Sequence, residues 1–346
     1  MEKKFHQIWQ INQLFILLAT ISIVLLVSKY ASDLLVPFLI AVAIAIIVSP
    51  LFNYLAAKRI PKVVTLFVLF IIAMVLVSSL ANYIGAEVAV FIGDYQNLSD
   101  KFVLTINEFS LALKKIGISI SPEELGNALS KADFTGIIQS LISEIKNQFS
   151  NVFLISFIVV FILLDSTALY NKLNKIMLER GRTMNDDMAI IKKVQSYFII
   201  KVKTSLITGA WVFSVLWFYD IQAPFLWAIL AFFLNFIPVI GSIIAAVPPI
   251  ILAGLDQSLI TMGWVTLWYV IINTVIGNIL EPYIMGKGLG LSVLTVFLSM
   301  VFWGWIFGPA GMILSVPLTM AVQFLFEQYD QTRWFAFMLS DYQGEK

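Results

Sequence analysis

The sequence predicts an all-α integral membrane protein with about eight hydrophobic segments, and three observations carry that expectation. Charge is scarce: of 346 residues, 60% are hydrophobic and only 12% charged, about half the charged share of a soluble domain. Several apolar runs reach the roughly 20 residues that a helix needs to cross a bilayer core of about 30 Å. Two of these runs, 224–254 and 291–326, are too long for one upright span and are broken by proline and glycine near the middle.

The same composition excludes whole classes of function. A net charge of +1 lacks the basic excess that nucleic acid requires. Without cysteine there is no disulfide, thiolate nucleophile, zinc–thiolate or iron–sulfur site. The single histidine, His6, sits in a polar leader, which removes histidine-built metal sites and a Ser–His–Asp triad. No metal and no cofactor are expected, and no catalytic residue either, since no span holds paired carboxylates.

Taken in order, residues 11–27 form the first run. They follow Lys3 and Lys4 in the manner of a signal peptide, yet no small-residue cleavage motif comes next, and Lys29 with Asp33 leads straight into a second run at 34–57. The first run is therefore expected to stay as a span. The second carries Pro37 and Pro50, and a third covers 63–83. The fourth centres on 152–164 and the fifth on 206–219, followed by 224–254, 259–280 and 291–326.

Bases collect in two connections. Lys58, Arg59 and Lys62 lie between the second and third runs; Lys172, Lys175, Arg180, Arg182, Lys192, Lys193, Lys201 and Lys203 follow the fourth. The positive-inside rule places both connections and the N-terminus in the cytoplasm and residues 86–150 outside. That outer segment repeats Leu98, Phe102, Ile106, Phe109, Leu113 and Ile116 at helical spacing. Ser121-Pro122-Glu123-Glu124 then reads as the start of a second helix. Such a hairpin packs on itself and the membrane surface, or serves as a partner surface.

The two long runs share a grammar. One reads Asn235-Phe236-Ile237-Pro238-Val239-Ile240-Gly241, resumes at Ser242 and meets Pro248-Pro249; the other reads Gly308-Pro309-Ala310-Gly311, resumes at Met312 and meets Pro317. Paired interrupted segments of this kind point to a transporter binding site; the alternative is two tilted, proline-kinked spans. Proline removes a donor and glycine opens unusual dihedrals, so the helical ladder stops there. The freed groups must then face protein or water. The resuming half-helices would aim partial positive charge at a polar or anionic solute. In the seventh run, Thr274, Asn278 and Glu281 share one helical face, with Asn273 close by and Pro282 after Glu281. An intramembrane carboxylate is costly enough to suggest a function, although Glu281 at the end of a run also fits a solvated interface. Asp165 has the same two readings.

The series Asn235 to Gly241, then Gly277-Asn278-Ile279-Leu280-Glu281-Pro282, Leu289-Gly290-Leu291-Ser292, Phe302-Trp303-Gly304-Trp305 and Gly308 to Pro317 resembles the autoinducer-2 exporter family of permeases. The resemblance implies a homo-oligomeric, multi-pass transporter of a bacterial-type inner membrane, with both termini cytoplasmic, moving a small signalling molecule outward. Cation/proton exchange is the competing activity that it implies. This chain has Lys201-Val202-Lys203-Thr204 where many members open span five with Gly-Gln.

The layout gives an N-terminal transmembrane scaffold (1–85), an extracytoplasmic helical segment (86–150), a fourth span with a cytoplasmic basic segment (151–204), a C-terminal transport unit (205–330) and a cytoplasmic tail (331–346). The partners are the lipid bilayer and a small-molecule solute or cation. The expected solute path runs past Asn235, Pro238, Gly241, Ser242, Asn273, Thr274, Asn278, Glu281, Gly308, Pro309 and Gly311, with the two broken runs meeting near the midplane. Pro248, Pro249, Pro282 and Pro317 are the expected structural breaks. A non-transporting scaffold that binds a partner through 86–150 is the remaining alternative. Gly241→Leu is expected to block flux while leaving the protein assembled.

Overall fold

Helices account for all the regular structure of the described residues. The computed structural model describes residues 16, 19–20, 22–93, 114, 151–179, 184–285 and 290–341. The expected outer helices and the first part of the run 11–27 lie outside them. The helices are α1 (Ser32–Ala57), α2 (Lys62–Gly93), α3 (Val152–Glu179), α4 (Met184–Phe218), α5 (Pro224–Leu234), α6 (Gly241–Asp256) and α7 (Leu259–Ile272). A π-helical segment (Asn273–Leu280) leads into α8 (Glu281–Met285), and α9 (Val293–Glu327) and α10 (Arg333–Leu339) close the order. Five helices among the described residues are long and apolar enough to cross a membrane. Hydropathy suggests eight segments because it counts the first run, the short apolar part of α3 and the whole of 224–254, which divides into two short arms.

The chain forms two compact units, residues 45–290 and residues 1–44 with 291–346. In the first unit, α5 packs along α4, α6 returns along α5 and continues against α7, and α2 pairs with α3. Pro224 starts α5, where its missing N–H costs nothing. At 11 residues, α5 is about 16 Å long and α6, at 16 residues, about 24 Å. Each arm is therefore shorter than a bilayer core. The two arms form a hairpin that comes back to its starting level, because the Gln257 side chain donates to the Asp220 carbonyl (3.2 Å), joining the chain just beyond α6 to the chain just before α5.

The hairpin tip explains its glycine. A Cβ on Gly241 would overlap the Leu234 carbonyl oxygen. The Ile240 N–H donates to the Pro238 carbonyl across a single residue (2.6 Å), and the residue between them, Val239, has φ 62. That is a γ-turn of the rare left-handed kind, in a region that a β-branched side chain resists. Pro248 and Pro249 sit inside α6 without ending it. The break in this run is the turn at 235–240.

The second unit repeats the device. Within α9, Gly308 leaves helical geometry at φ 64, ψ −150. A Cβ on Gly311 would overlap the Trp303 carbonyl oxygen. The Trp303 indole donates to Thr319 Oγ (3.0 Å), although 16 residues of straight helix would separate the two by about 24 Å. The chain therefore doubles back at Gly308, while Pro317 lies within the returning arm. Ser292 caps this helix by accepting from the Thr295 N–H (3.1 Å), and the Lys29 ammonium lies 4.2 Å from the centre of the Trp305 ring. Trp303→Phe should lower stability by about 1 kcal/mol, the worth of one hydrogen bond. An unchanged melting temperature of the purified protein would contradict that role for the indole.

Candidate functional site

The first unit holds a polar constellation in apolar surroundings, built on α4. This helix starts at Met184, well before the expected fifth span, and its membrane-length apolar part is Ile190–Phe218. Lys201 and Lys203 are thus part of a candidate span rather than of a cytoplasmic connection. Tyr197, Lys201, Ser205 and Thr208 follow one another at three- and four-residue steps, so they share a face. All four are buried, as is Thr204 beside them.

The Lys201 ammonium meets the Glu281 carboxylate at 2.6 Å, with side chains 7% and 14% exposed. Glu281 is therefore not a freely solvated helix end; it is half of a largely buried ion pair. The pair ties α4 to the start of α8, directly after the π-helical segment. π-Helical turns occur frequently at functional sites. Around the pair, Thr204 donates to the Lys201 carbonyl (3.2 Å) and Thr208 to the Thr204 carbonyl (2.9 Å), which satisfies both hydroxyls locally. Among the described residues the buried Tyr197 hydroxyl has no hydrogen-bond partner.

One turn along α4, the hairpin tip joins the same face. Asn235, which ends α5, donates from Nδ2 to Ser205 Oγ at 3.0 Å, with both residues buried. Pro238 and Gly241 are buried in the same tip and Ser242 is half-buried at the first turn of α6. Helix α6 starts there with no side-chain cap, so its first N–H groups add partial positive charge at that end.

The other expected site residues are placed differently. Thr274 and Asn278 are exposed and Asn273 is half-buried. A π-helix closes i→i+5 rather than i→i+4 turns, so the register that put Thr274, Asn278 and Glu281 on one α-helical face does not hold through it. Pro282 is the second residue of α8. Gly308, Pro309 and Gly311 form the doubled-back turn of the other unit. Asp165 is exposed. Among the described residues no cluster of His, Cys, Asp and Glu could hold a metal.

Sequence reasoning missed Lys201, Ser205 and Tyr197 as site residues. Their step of four along one helix face is visible in the sequence, but Lys192, Lys193 and Lys203 on the same helix are exposed, so the spacing alone does not single out Lys201 as the buried base.

Comparison with known proteins agrees with this architecture. The profile of the AI-2E family transporter matches residues 14–331. The "AI-2 transport protein TqsA" of Escherichia coli (strain K12) is 34% identical over 337 residues, covering 96% of this chain and 97% of that protein. A "Putative transport protein" of Haemophilus influenzae is also 34% identical, over 95% of this chain and 96% of its own. The "Putative transport protein YhhT" of Escherichia coli (strain K12) is 29% identical over 87% and 86%. With matches that take in the helices and the polar face of α4 together, the chain belongs to the AI-2E family of multi-pass membrane transporters.

Proposed function

We propose that this transporter exports a small polar solute of the autoinducer-2 kind, by alternating access through the α4 face and the α5–α6 tip. The observation that carries the reading is the Asn235–Ser205 hydrogen bond. It places a strained helix break against a row of buried hydroxyls, where a solute's own hydroxyls can replace the internal bond. Both hairpins are taken to be re-entrant, leaving the membrane on the side from which they came, with both termini cytoplasmic. The short arms of α5 and α6 and the Gln257–Asp220 tie support that topology for the first hairpin, and the Trp303–Thr319 contact across Gly308 supports it for the second.

Glu281 favours a solute over an alkali cation as cargo. Its carboxylate already holds a cation, the Lys201 ammonium, and the other acid that cation/proton exchange would use, Asp165, is exposed. The resemblance to the family also implies a homo-oligomer. Native mass measurement of the purified protein should show several copies, and a monomer would contradict that part of the reading.

Flux in proteoliposomes tests the site. Autoinducer-2 efflux should fall at least tenfold in Asn235→Ala and in Ser205→Ala, each of which leaves one polar group of the tip unpaired. The proposal fails if both variants, folded and reconstituted in equal amount, move the solute at the original rate.

A further inference from the structure

Resting on this reading of the site but not on the identity of its cargo, we infer that the Lys201 ammonium binds the oxyanion of a second class of solute, a small hydroxy acid, which displaces the Glu281 carboxylate as resident occupant. The constellation supplies many donors and a single negative group. An ammonium has three protons to donate, and the polar side-chain contact of Lys201 among the described residues is Glu281. Tyr197 adds a buried hydroxyl with no partner among the described residues. Ser205 accepts from Asn235 through its oxygen, which leaves its own proton to donate.

No acid occurs on α4 between Tyr197 and Thr208, nor anywhere from Pro224 to Gly254. A bound metal cation would want several charged or carbonyl oxygens, whereas the cation here is built into the chain. A carboxylate on the solute fits Lys201, and a hydroxyl next to it fits Ser205 or Tyr197.

The contact between Lys201 Nζ and the solute oxygen forms as the contact to Glu281 Oε1 breaks, so the ammonium keeps a counter-charge, and the displaced Glu281 carboxylate, 14% exposed, turns to the solvent it already touches. Glu281 is freed at the start of α8, directly beyond the π-helical segment, so occupancy of Lys201 is linked to the position of that segment against α4. Binding would thereby loosen the one tie between these elements that rests on charge, which is the mechanical step that alternating access needs.

Lactate, a carboxylate with an adjacent hydroxyl, serves as the probe, measured by calorimetry on the full chain in lipid nanodiscs. Glu281→Gln removes the resident anion while keeping its shape and an acceptor, and should bind lactate at least tenfold more tightly than the unaltered protein. The double variant Lys201→Gln/Glu281→Gln pairs two neutral amides of similar size and should show no binding. Overturning results are a Glu281→Gln variant that binds no tighter, or a folded double variant that binds as well as the unaltered protein. Should Glu281→Gln fail to fold, the comparison of the double variant with the unaltered protein decides alone.

Efflux in Ser205→Ala and Asn235→Ala separates the two proposals. Lost autoinducer-2 efflux with lactate binding indifferent to Lys201 keeps the solute path and removes the anion site. Lactate binding that depends on Lys201, with efflux intact in both alanine variants, does the reverse.

Discussion

Glu281→Leu should cost this protein about 3–5 kcal/mol, the usual penalty for leaving one member of a buried ion pair without its partner. That is a large part of the whole stability of a typical domain, so the variant should be poorly recovered from membranes and should melt far below the unaltered protein. The charge left behind is the cause, not the leucine. Adding Lys201→Met to Glu281→Leu replaces the pair with apolar groups of similar size and should restore most of the lost stability. Thermal unfolding in detergent of the two single variants and the double variant, followed as a cycle, measures the coupling. If Glu281→Leu alone melts as the unaltered protein does, the ion pair is not holding α4 to α8.

Gly241→Ala and Gly311→Ala should be nearly as damaging. In each hairpin the added Cβ would overlap a backbone carbonyl oxygen, of Leu234 and of Trp303 respectively. Backbone cannot move aside as a flexible side chain can, so each change should cost at least about 3 kcal/mol, the upper end of the overpacking range. Gly263→Ala is the control. A Cβ there meets nothing within 4 Å, and within α7 alanine should be neutral or stabilising by up to about 1 kcal/mol. Equal melting of all three variants would show that neither turn is as close-packed as described. These contacts also correct the expectation for Gly241→Leu: a side chain at this position opposes the hairpin itself, so the loss is one of folding before it is one of flux.

What was legible in the sequence is what hydropathy and Pro/Gly placement encode directly. Asn235 to Gly241 and Gly308 to Gly311 both mark chain reversals, since proline, glycine and a short polar residue are what a helix break requires. The prolines further along, Pro248, Pro249 and Pro317, were less informative. Tertiary packing keeps them inside helices. The register of Glu281 was misleading for a local reason: the α-helical period used to place it beside Asn278 is replaced by a π-helical one over Asn273–Leu280.

Lys201 was the main omission. Counting bases for orientation treats every lysine as water-facing, and nothing in a charge count separates Lys201, which is buried, from Lys203 two residues later, which is exposed. The partner that distinguishes them lies 80 positions away in sequence, beyond the reach of any local pattern. The same holds for Ser205, whose role appears only once Asn235 is folded against it.

The most direct test of the site uses the absence of native cysteine. Ser205→Cys places a single thiol at the centre of the polar face, where, unlike alanine, it still accepts from Asn235 and keeps flux measurable, and efflux of autoinducer-2 from proteoliposomes is measured before and after treatment with a small, charged methanethiosulfonate reagent. An alternating-access path through this face predicts that the buried thiol becomes reactive during turnover, that solute slows its modification, and that modified protein loses at least nine-tenths of its flux. A thiol that stays unreactive throughout turnover, or flux that survives complete modification, would contradict the placement of the solute path at Ser205, Asn235 and Lys201.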